Sequence, residues 1–205
     1  MRRLLLASSG IGALPRLVGA AGLRFAFVPT AAGPDADSKP WVQNDRRQLD
    51  LLGCTSSTLD LARGELEDVE AALDGAGGVF LSGGNSYLLL WHARRSGFAE
   101  LVVPLVESGA LIYVGTSAGA LLAGPDLGPA ASLDNRRVVP ELESSLALGL
   151  VPFTVLPHDD DPEARERHDA IVADHPEHDF VRLGDNCAVV VRDDTAEVVD
   201  SPQVR

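Results

Sequence analysis

Cysteine, positive charge and long apolar runs are all scarce in this 205-residue sequence, and each shortage excludes a class of protein. The two cysteines, Cys54 and Cys187, form neither a CxxC motif nor the disulfide framework of a small secreted domain, which favours a reduced, cytoplasmic location. No run approaches the roughly 18 apolar residues that span a membrane. The first apolar run, residues 4–7, is also too short for the core of a signal peptide.

The charge balance argues against nucleic acid as a partner. Asp and Glu number 30 against 17 Lys and Arg, which gives a formal net charge of -13. A surface with this excess of negative charge repels phosphate backbones. Hydrophobic residues make up 45% of the chain and charged residues 23%, as in ordinary globular proteins, and the length fits a single domain over residues 1–205.

Short apolar runs that end in small or turn residues alternate with helical patterns along most of the chain. The expected strands are residues 4–7, 24–28, 79–81, 111–114 and 153–156, and the expected helices are 39–52, 65–73, 85–95, 98–107 and 162–173. Apolar runs without alternation are typical of parallel strands covered on both faces. The tail segments 180–183, 188–191 and 197–199 predict antiparallel hairpin strands. The pattern therefore predicts an α/β fold: a doubly wound, mostly parallel sheet sandwiched by helices, with a C-terminal antiparallel hairpin.

The segment Gly115-Thr-Ser117-Ala-Gly119 is the strongest chemical signal in the sequence. It follows an apolar strand and opens a helix rich in Ala and Leu, so it matches G-x-S-x-G in its informative strand–turn–helix context. A nucleophilic serine needs such a strained turn because its Oγ must project from the sheet, and small residues on either side let strand and helix approach. Ser117 is the candidate nucleophile, and a tight turn capped by a serine is the alternative.

A serine nucleophile needs a base, and five histidines are available. His158 is the one that ends an expected apolar strand, at the edge where doubly wound sheets bind ligands. His92 falls inside an expected helix, whereas His168, His175 and His178 lie in a charged stretch that we expect to be exposed. The candidate general base is therefore His158.

The third group of such a site orients the imidazole and stabilises its charged form. Asp185 lies at the end of an expected strand, and Asp134 lies in a loop after the serine; Asp185 is preferred and Asp134 remains the alternative. Asp159 adjoins His158, but neighbouring side chains of an extended segment point to opposite faces, which makes it a poor partner.

An acyl-transfer site also needs hydrogen-bond donors for the oxyanion of the tetrahedral intermediate. The segment Ser82-Gly-Gly-Asn85 lies between an expected strand and an expected helix, and its glycines allow close approach of the backbone. The N–H groups of Gly84 and of Ala118, the residue after the serine, are the candidate donors.

These segments, together with 149–153 and Pro157-His158, occur in the order and approximate spacing of the dipeptidase E (aspartyl dipeptidase) family, which the chain resembles over nearly its whole length. The family consists of cytoplasmic serine peptidases related to cyanophycinase, with a fold like that of the class I glutamine amidotransferases. The resemblance implies Ser117 as nucleophile and His158 as base. It also implies Gly84 and Ala118 as oxyanion donors.

The Glu that serves as the family's acid corresponds to Asp185 in this sequence. An Asp downstream of the serine has also been assigned that role in the family, and it corresponds to a position near Asp134. The resemblance further implies Asn85 and Arg165 as substrate-binding residues and a small peptide, cleaved from its N-terminus, as substrate. No cofactor is implied. Three consecutive carboxylates, residues 159–161, disfavour an acidic substrate side chain unless they point away, so a preference for N-terminal Asp stays open.

Other functions fit the sequence less well. A glutamine amidotransferase needs cysteine where Ser117 stands, and an α/β-hydrolase esterase, with a triad of Ser117, Asp134 and His158, would need a longer chain and an HGGG-type loop. A non-catalytic small-molecule binding protein on the same fold is the alternative from another class. A homodimer is left open as the oligomeric state.

Metal and dinucleotide sites are also weakly indicated. The segment 175–178, His-Pro-Glu-His, contains metal-ligand types, but its proline breaks the helical spacing that zinc motifs use. Gly10-Ile-Gly12 lacks the third glycine of a dinucleotide fingerprint. We therefore expect neither a metal ion nor a nucleotide cofactor.

Overall fold

The computed structural model describes residues 1–18 and 22–205. Its strands are β1 (Arg3–Ala7), β2 (Arg24–Val28), β3 (Thr55–Thr58), β4 (Gly78–Leu81), β5 (Ile112–Thr116), β6 (Thr154–Pro157), β7 (Phe180–Leu183), β8 (Cys187–Arg192) and β9 (Thr195–Asp200). Its α-helices are α1 (Pro40–Leu51), α2 (Leu66–Leu73), α3 (Ser86–Arg95), α4 (Phe98–Glu107), α5 (Ala118–Leu122) and α6 (Pro162–Asp174). In the part of the chain described, no helix is long and apolar enough to cross a membrane.

A seven-stranded sheet forms the centre of the molecule, in the order β3-β2-β4-β5-β1-β8-β9. The five strands from β3 to β1 run parallel, and β8 and β9 extend the sheet as an antiparallel pair. The mostly parallel sheet flanked by helices, with an antiparallel strand pair at its C-terminal end, confirms the predicted fold class.

The central strands are buried on both faces, which explains their unbroken apolar runs. In β1, Leu4 and Leu6 pack in one cluster with side chains of α3 and α4, whereas Leu5 faces a second cluster that includes Val42 and Leu49 of α1. Fully burying an aliphatic side chain of this size stabilises the fold by about 1.5–3 kcal/mol. The two clusters hold helical layers on opposite sides of the sheet.

Two expectations about the strands were wrong. The segment expected at 153–156 is β6, which lies outside the central sheet, and β7, expected as a hairpin strand, pairs with it in parallel in a separate two-stranded sheet. The reason is α6, because a helix between two strands forms a crossover that brings the second strand back parallel to the first. The polar edge strand β3 was not predicted, since its sequence, Thr-Ser-Ser-Thr, contains no apolar run.

The carboxyl ends of five strands position the polar groups of interest. Ser8, Ser82 and Ser117 directly follow β1, β4 and β5 of the central sheet, while His158 follows β6. Asp185 lies two residues beyond the end of β7. The small sheet thus presents its strand ends to those of the large one.

Candidate active site

Ser117 occupies the sharp turn between β5 and α5, in the strained conformation that the motif predicts. Its φ is 49° and its ψ is −108°. A Cβ atom at position 115 would lie 2.4 Å from the carbonyl carbon of Gly119, and one at position 119 would lie 2.2 Å from the carbonyl oxygen of Leu81. Both glycines are therefore required by the close contact between strand and helix. The buried Tyr113 hydroxyl fixes the turn further by donating to the Gly119 carbonyl at 2.7 Å.

His158 faces this serine from the end of β6. Its Nε2 lies 3.0 Å from the Ser117 Oγ. The backbone at His158 also has a positive φ of 65°, and its N–H donates to the Oγ of Ser8 at 2.8 Å. A strained conformation costs on the order of 1–3 kcal/mol and persists only where surrounding contacts hold it. The Ser8 hydrogen bond is one such contact.

Asp185 completes a continuous series of hydrogen-bonding groups. Its Oδ1 lies 2.6 Å from His158 Nδ1 and accepts a second hydrogen bond, at 3.0 Å, from the buried hydroxyl of Ser8. Since an ionised carboxylate can only accept, Nδ1 carries the proton and the lone pair of Nε2 faces Ser117. The backbone N–H of Asp185 donates to Asp160 Oδ2 at 3.1 Å, which helps to hold Asp185 in place.

The structure places Asp134, the alternative acid, in a different set of contacts. Its Oδ2 accepts hydrogen bonds from the Ser86 N–H at 2.9 Å and from the Ser86 hydroxyl at 2.6 Å. These contacts hold the carboxylate at the beginning of α3. Asp185, and not Asp134, is thus the aspartate that contacts the His158 imidazole.

The two candidate oxyanion donors are the N–H groups of Gly84 and Ala118. Gly84 has a φ of 145°, and a Cβ there would lie 2.1 Å from the carbonyl oxygen of Ala31, so the position accepts only glycine. Ala118 is the first residue of α5. No hydrogen-bond acceptor among the described residues pairs with either N–H. Both N–H groups therefore remain available for a ligand.

The expected substrate-binding residues, Asn85 and Arg165, both make hydrogen bonds within the chain. Asn85 caps α3, where its Oδ1 accepts from the Leu88 N–H at 2.9 Å. Arg165 turns back along its own segment, and its Nε donates to the Asp159 carbonyl at 2.9 Å. Neither side chain lines the cavities beside Ser117; the arginine that does so is Arg167, two residues along α6.

Two cavities lie on either side of Ser117 and share Gly84, Ser117 and His158. The first, of about 240 Å³, is lined by Ser8, Ser9, Trp41, Asp45, Gly83 and Thr116 in addition to the shared residues. The second, of about 430 Å³, extends towards α6 and includes Leu121, Leu133, Asp134, Asp161, Arg167 and His168. We call them the Asp45 cavity and the Arg167 cavity. A ligand centred on Ser117 has room on both sides.

His168 is fully buried, so the expectation that it is exposed was wrong. The inward face of α6 consists of Ala164, His168 and Ile171, at helical spacing. The His168 Nδ1 lies 2.9 Å from Asp159 Oδ1, which also accepts from Arg182 Nε at 2.7 Å. Burial raises the pKa of Asp159, but the hydrogen bonds from His168 and Arg182 outweigh it and lower the pKa below the ordinary value. The Asp159 carboxylate is thereby directed into an ion-pair cluster beneath α6.

Sequence reasoning missed two groups of the site, Ser8 and Asp45. Ser8 follows β1, so its place at a strand end was the signal that could have identified it. Asp45 lies inside α1, only 4% exposed, and its Oδ2 accepts from the hydroxyls of Ser82 at 2.6 Å and Thr116 at 3.0 Å. Burial raises the pKa of Asp45 from 3.8 to about 7, against the lowering effect of these two hydrogen bonds.

Among the described residues, the group that could hold a metal ion lies outside both cavities. His175, Glu177 and His178, at the C-terminal end of α6, bring their ligand atoms within 4.8 Å of one another. Glu177 Oε1 lies 3.8 Å from His175 Nδ1 and 3.3 Å from His178 Nε2, so the carboxylate already pairs with the two rings. None of these three residues lines either cavity in the described part of the chain.

A serine, a histidine and an aspartate joined in this way at the carboxyl ends of strands form the arrangement that serine hydrolases use. The chain belongs to peptidase family S51, whose family model matches residues 8–199. It is therefore a peptidase, a hydrolase of peptide bonds, and the resemblance to the dipeptidase E family is confirmed.

Individual relatives agree with this family and fold. The chain is 29% identical over 174 residues to an uncharacterized peptidase of Listeria innocua, covering 84% of this chain and 82% of the relative. It is 36% identical over 167 residues to peptidase E of Streptomyces coelicolor, covering 80% of this chain and 63% of that relative. A crystal structure from Listeria monocytogenes, whose protein carries a provisional peptidase E assignment, superimposes with a TM-score of 0.88 at 25% identity and covers 98% of each chain.

Proposed function

We propose that this chain is a serine exopeptidase that hydrolyses dipeptides or short peptides from the N-terminus through an acyl-enzyme on Ser117. The single observation that carries the proposal is the continuous series from Ser117 Oγ through His158 to Asp185, with separations of 3.0 Å and 2.6 Å. Membership of peptidase family S51 supports peptide bonds as the target.

In the first half of the reaction, Ser117 Oγ attacks the carbonyl carbon of the first peptide bond. Its proton passes to His158 Nε2, while Asp185 stabilises the imidazolium through Nδ1–H. The negative charge that develops on the carbonyl oxygen accepts hydrogen bonds from the N–H groups of Gly84 and Ala118. Collapse of the intermediate breaks the C–N bond, and the leaving amine takes its proton from His158 Nε2.

In the second half, water replaces the departed amine. His158 Nε2 removes a proton from the water as its oxygen attacks the acyl carbon, and the same two N–H groups hold the second oxyanion. The proton then returns to Ser117 Oγ as the ester bond breaks and the N-terminal amino acid leaves. His158 thus ends the cycle neutral, with Nδ1–H still directed at Asp185.

The two cavities suit the two sides of a short peptide. The carboxylates that the sequence places after His158 do not all face substrate: Asp159 pairs with Arg182, and Asp161 caps α6 by accepting from the Ala164 N–H at 2.9 Å. Arg167 brings a positive charge to the second cavity, in place of Arg165. A panel of dipeptides that differ only in their N-terminal residue, with Asp-Xaa beside Ala-Xaa, measures the preference directly.

Ser117→Ala tests the proposed function, with Ser108→Ala at the exposed end of α4 as the matched control. We expect Ser117→Ala to abolish both dipeptide hydrolysis and covalent labelling by an alkyl fluorophosphonate, without change in the urea denaturation midpoint. The control should retain both. Undiminished hydrolysis by Ser117→Ala would refute the proposal. A wild-type chain that neither hydrolyses dipeptides nor is labelled by the fluorophosphonate would also refute it and would favour a binding protein. Labelling with cleavage of esters and not of dipeptides would favour an esterase.

A further inference from the structure

Asp45 is a buried carboxyl group that the proposed reaction does not use. It is 4% exposed, and only Oδ2 is hydrogen-bonded, to the hydroxyls of Ser82 and Thr116. In the described ranges no Lys, Arg or His forms an ion pair with it, and Oδ1 has no hydrogen-bond partner. A buried carboxylate without a cationic partner is costly to the fold. Such a group beside a reactive serine is a candidate for contact with a ligand.

Asp45 lies close to Ser117, on the side of the smaller cavity. Asp45 and Ser117 line the same cavity of about 240 Å³, and one of the two hydroxyls bonded to Asp45 belongs to Thr116, the residue before the serine. In the N-terminal residue of a peptide, the α-nitrogen lies about 2.5 Å from the carbonyl carbon, as bond lengths and angles dictate. When Ser117 attacks that carbon, the ammonium group must therefore lie in a cavity next to the serine.

The carboxylates of the Arg167 cavity are less suited to this group. Asp134 is bonded to Ser86, Asp161 caps α6 and Asp185 pairs with His158. Arg167 lines the same cavity, and its positive charge disfavours a cation there. The Asp45 cavity, in contrast, contains a carboxyl with one free oxygen, and its other titratable side chain is His158.

We propose that Asp45 binds the free α-ammonium group of the substrate and thereby selects peptides with an unblocked N-terminus, an inference that rests on the proposed function. The ammonium group donates to Oδ1, while Ser82 and Thr116 keep Oδ2 in place. A bound cation supplies the missing charge partner and favours the ionised carboxylate, whose pKa burial otherwise raises to about 7. Asp45 contacts the end of the substrate and not the reacting carbon, so its loss should act mainly on KM.

The test compares Asp45→Asn with the wild-type chain on an aminoacyl 4-nitroanilide and on its des-amino counterpart, which lacks only the α-amino group. Asn keeps an oxygen to accept from Ser82 and Thr116 and removes the charge. Inactivation by an alkyl fluorophosphonate, which has no amino group, reports whether the Ser117 site remains intact. Asp50→Asn, at an exposed position of the same helix, is the control for the change in charge.

We expect Asp45→Asn to lower kcat/KM for the free-amine substrate by about 10- to 100-fold, the loss of a hydrogen bond to a charged group. Hydrolysis of the des-amino substrate and the rate of inactivation should be unchanged, as should all three readouts in Asp50→Asn. A parallel loss of inactivation in Asp45→Asn would show that Asp45 merely supports the turn that bears Ser117, and would overturn the inference. An unchanged preference for the free-amine substrate would equally overturn it. So would a loss of that preference in Asp134→Asn instead of in Asp45→Asn. A wild-type chain that is not labelled at all refutes the proposed function itself.

Discussion

The buried carboxyl of Asp45 makes the stability of this protein depend on pH in a way that one substitution should remove. Burial raises the pKa of Asp45 from 3.8 to about 7 in the folded chain, whereas the unfolded chain has no such burial. Between these two values the folded state holds a proton that the unfolded state has lost. Stability therefore falls as the pH rises through this window, and the full cost is present above about pH 7.

The magnitude follows from the size of the shift. A difference of about 3 pH units corresponds to about 4 kcal/mol, because each unit corresponds to about 1.4 kcal/mol. Asn at position 45 does not titrate and therefore carries no such cost. The free energy of unfolding of Asp45→Asn, measured relative to the wild type, should rise by about 3 kcal/mol between about pH 5 and about pH 8.5, the part of the window that is accessible without acid denaturation.

Urea denaturation of both proteins across that range measures the difference directly, and Asp50→Asn on the same helix is the control that keeps Asp45. The control should differ from the wild type by a constant amount at every pH. If Asp45→Asn also shows a constant difference, the carboxyl is not held in an environment that disfavours its charge. The reasoning about its burial would then be wrong, whatever its role in binding.

Three further predictions concern the site. Asp185→Asn should lower kcat for dipeptide hydrolysis by about 10⁴-fold, whereas Asp134→Asn should leave kcat within about tenfold of the wild type; steady-state kinetics that show the reverse would reassign the acid. Ser8→Ala removes the acceptor of the strained His158 N–H, so it should lower kcat by about tenfold and the free energy of unfolding by about 1–3 kcal/mol, with kcat measured where urea denaturation shows the variant to be fully folded. Gly84→Ala should destabilise the fold by about 2 kcal/mol or more, because its Cβ would lie 2.1 Å from the Ala31 carbonyl oxygen at a φ of 145°; an unchanged urea midpoint contradicts this.

Much of the site follows from one rule, that parallel strands present their carboxyl ends at one edge of a sheet. Ser117, His158 and Asp185 each follow a short apolar run, so the sequence could place all three at strand ends. The glycines on either side of Ser117 further predicted the close contact between strand and helix at the turn. The choice between Asp185 and Asp134 needed distances, because both lie in loops that a sequence pattern cannot orient.

Other parts of the molecule give no signal in the sequence because they depend on contacts between distant segments. Asp45 lies in a helix among polar and charged neighbours, and only the folded structure, in which it contacts Ser82 and Thr116, shows that it is buried. The burial of His168 was visible in principle, as Ala164, His168 and Ile171 share one helical face. The negative and positive charges around them concealed that periodicity. The separation of β6 and β7 from the central sheet likewise depends on pairing and not on composition.

Because the groups of the site come from two sheets, the sheets must be held at a fixed distance, and Ser8 provides hydrogen bonds that do so. Ser117 belongs to the large sheet, whereas His158 and Asp185 follow strands of the small one, so any shift between the sheets would open the 3.0 Å separation of Ser117 and His158. Ser8, at the end of β1, accepts from the His158 N–H and donates to Asp185, and its own N–H donates to the Cys187 carbonyl at 3.2 Å. One buried serine thus joins both His158 and Asp185 to the sheet that bears the nucleophile. Hydrogen bonds at the strand ends therefore set the geometry of the site.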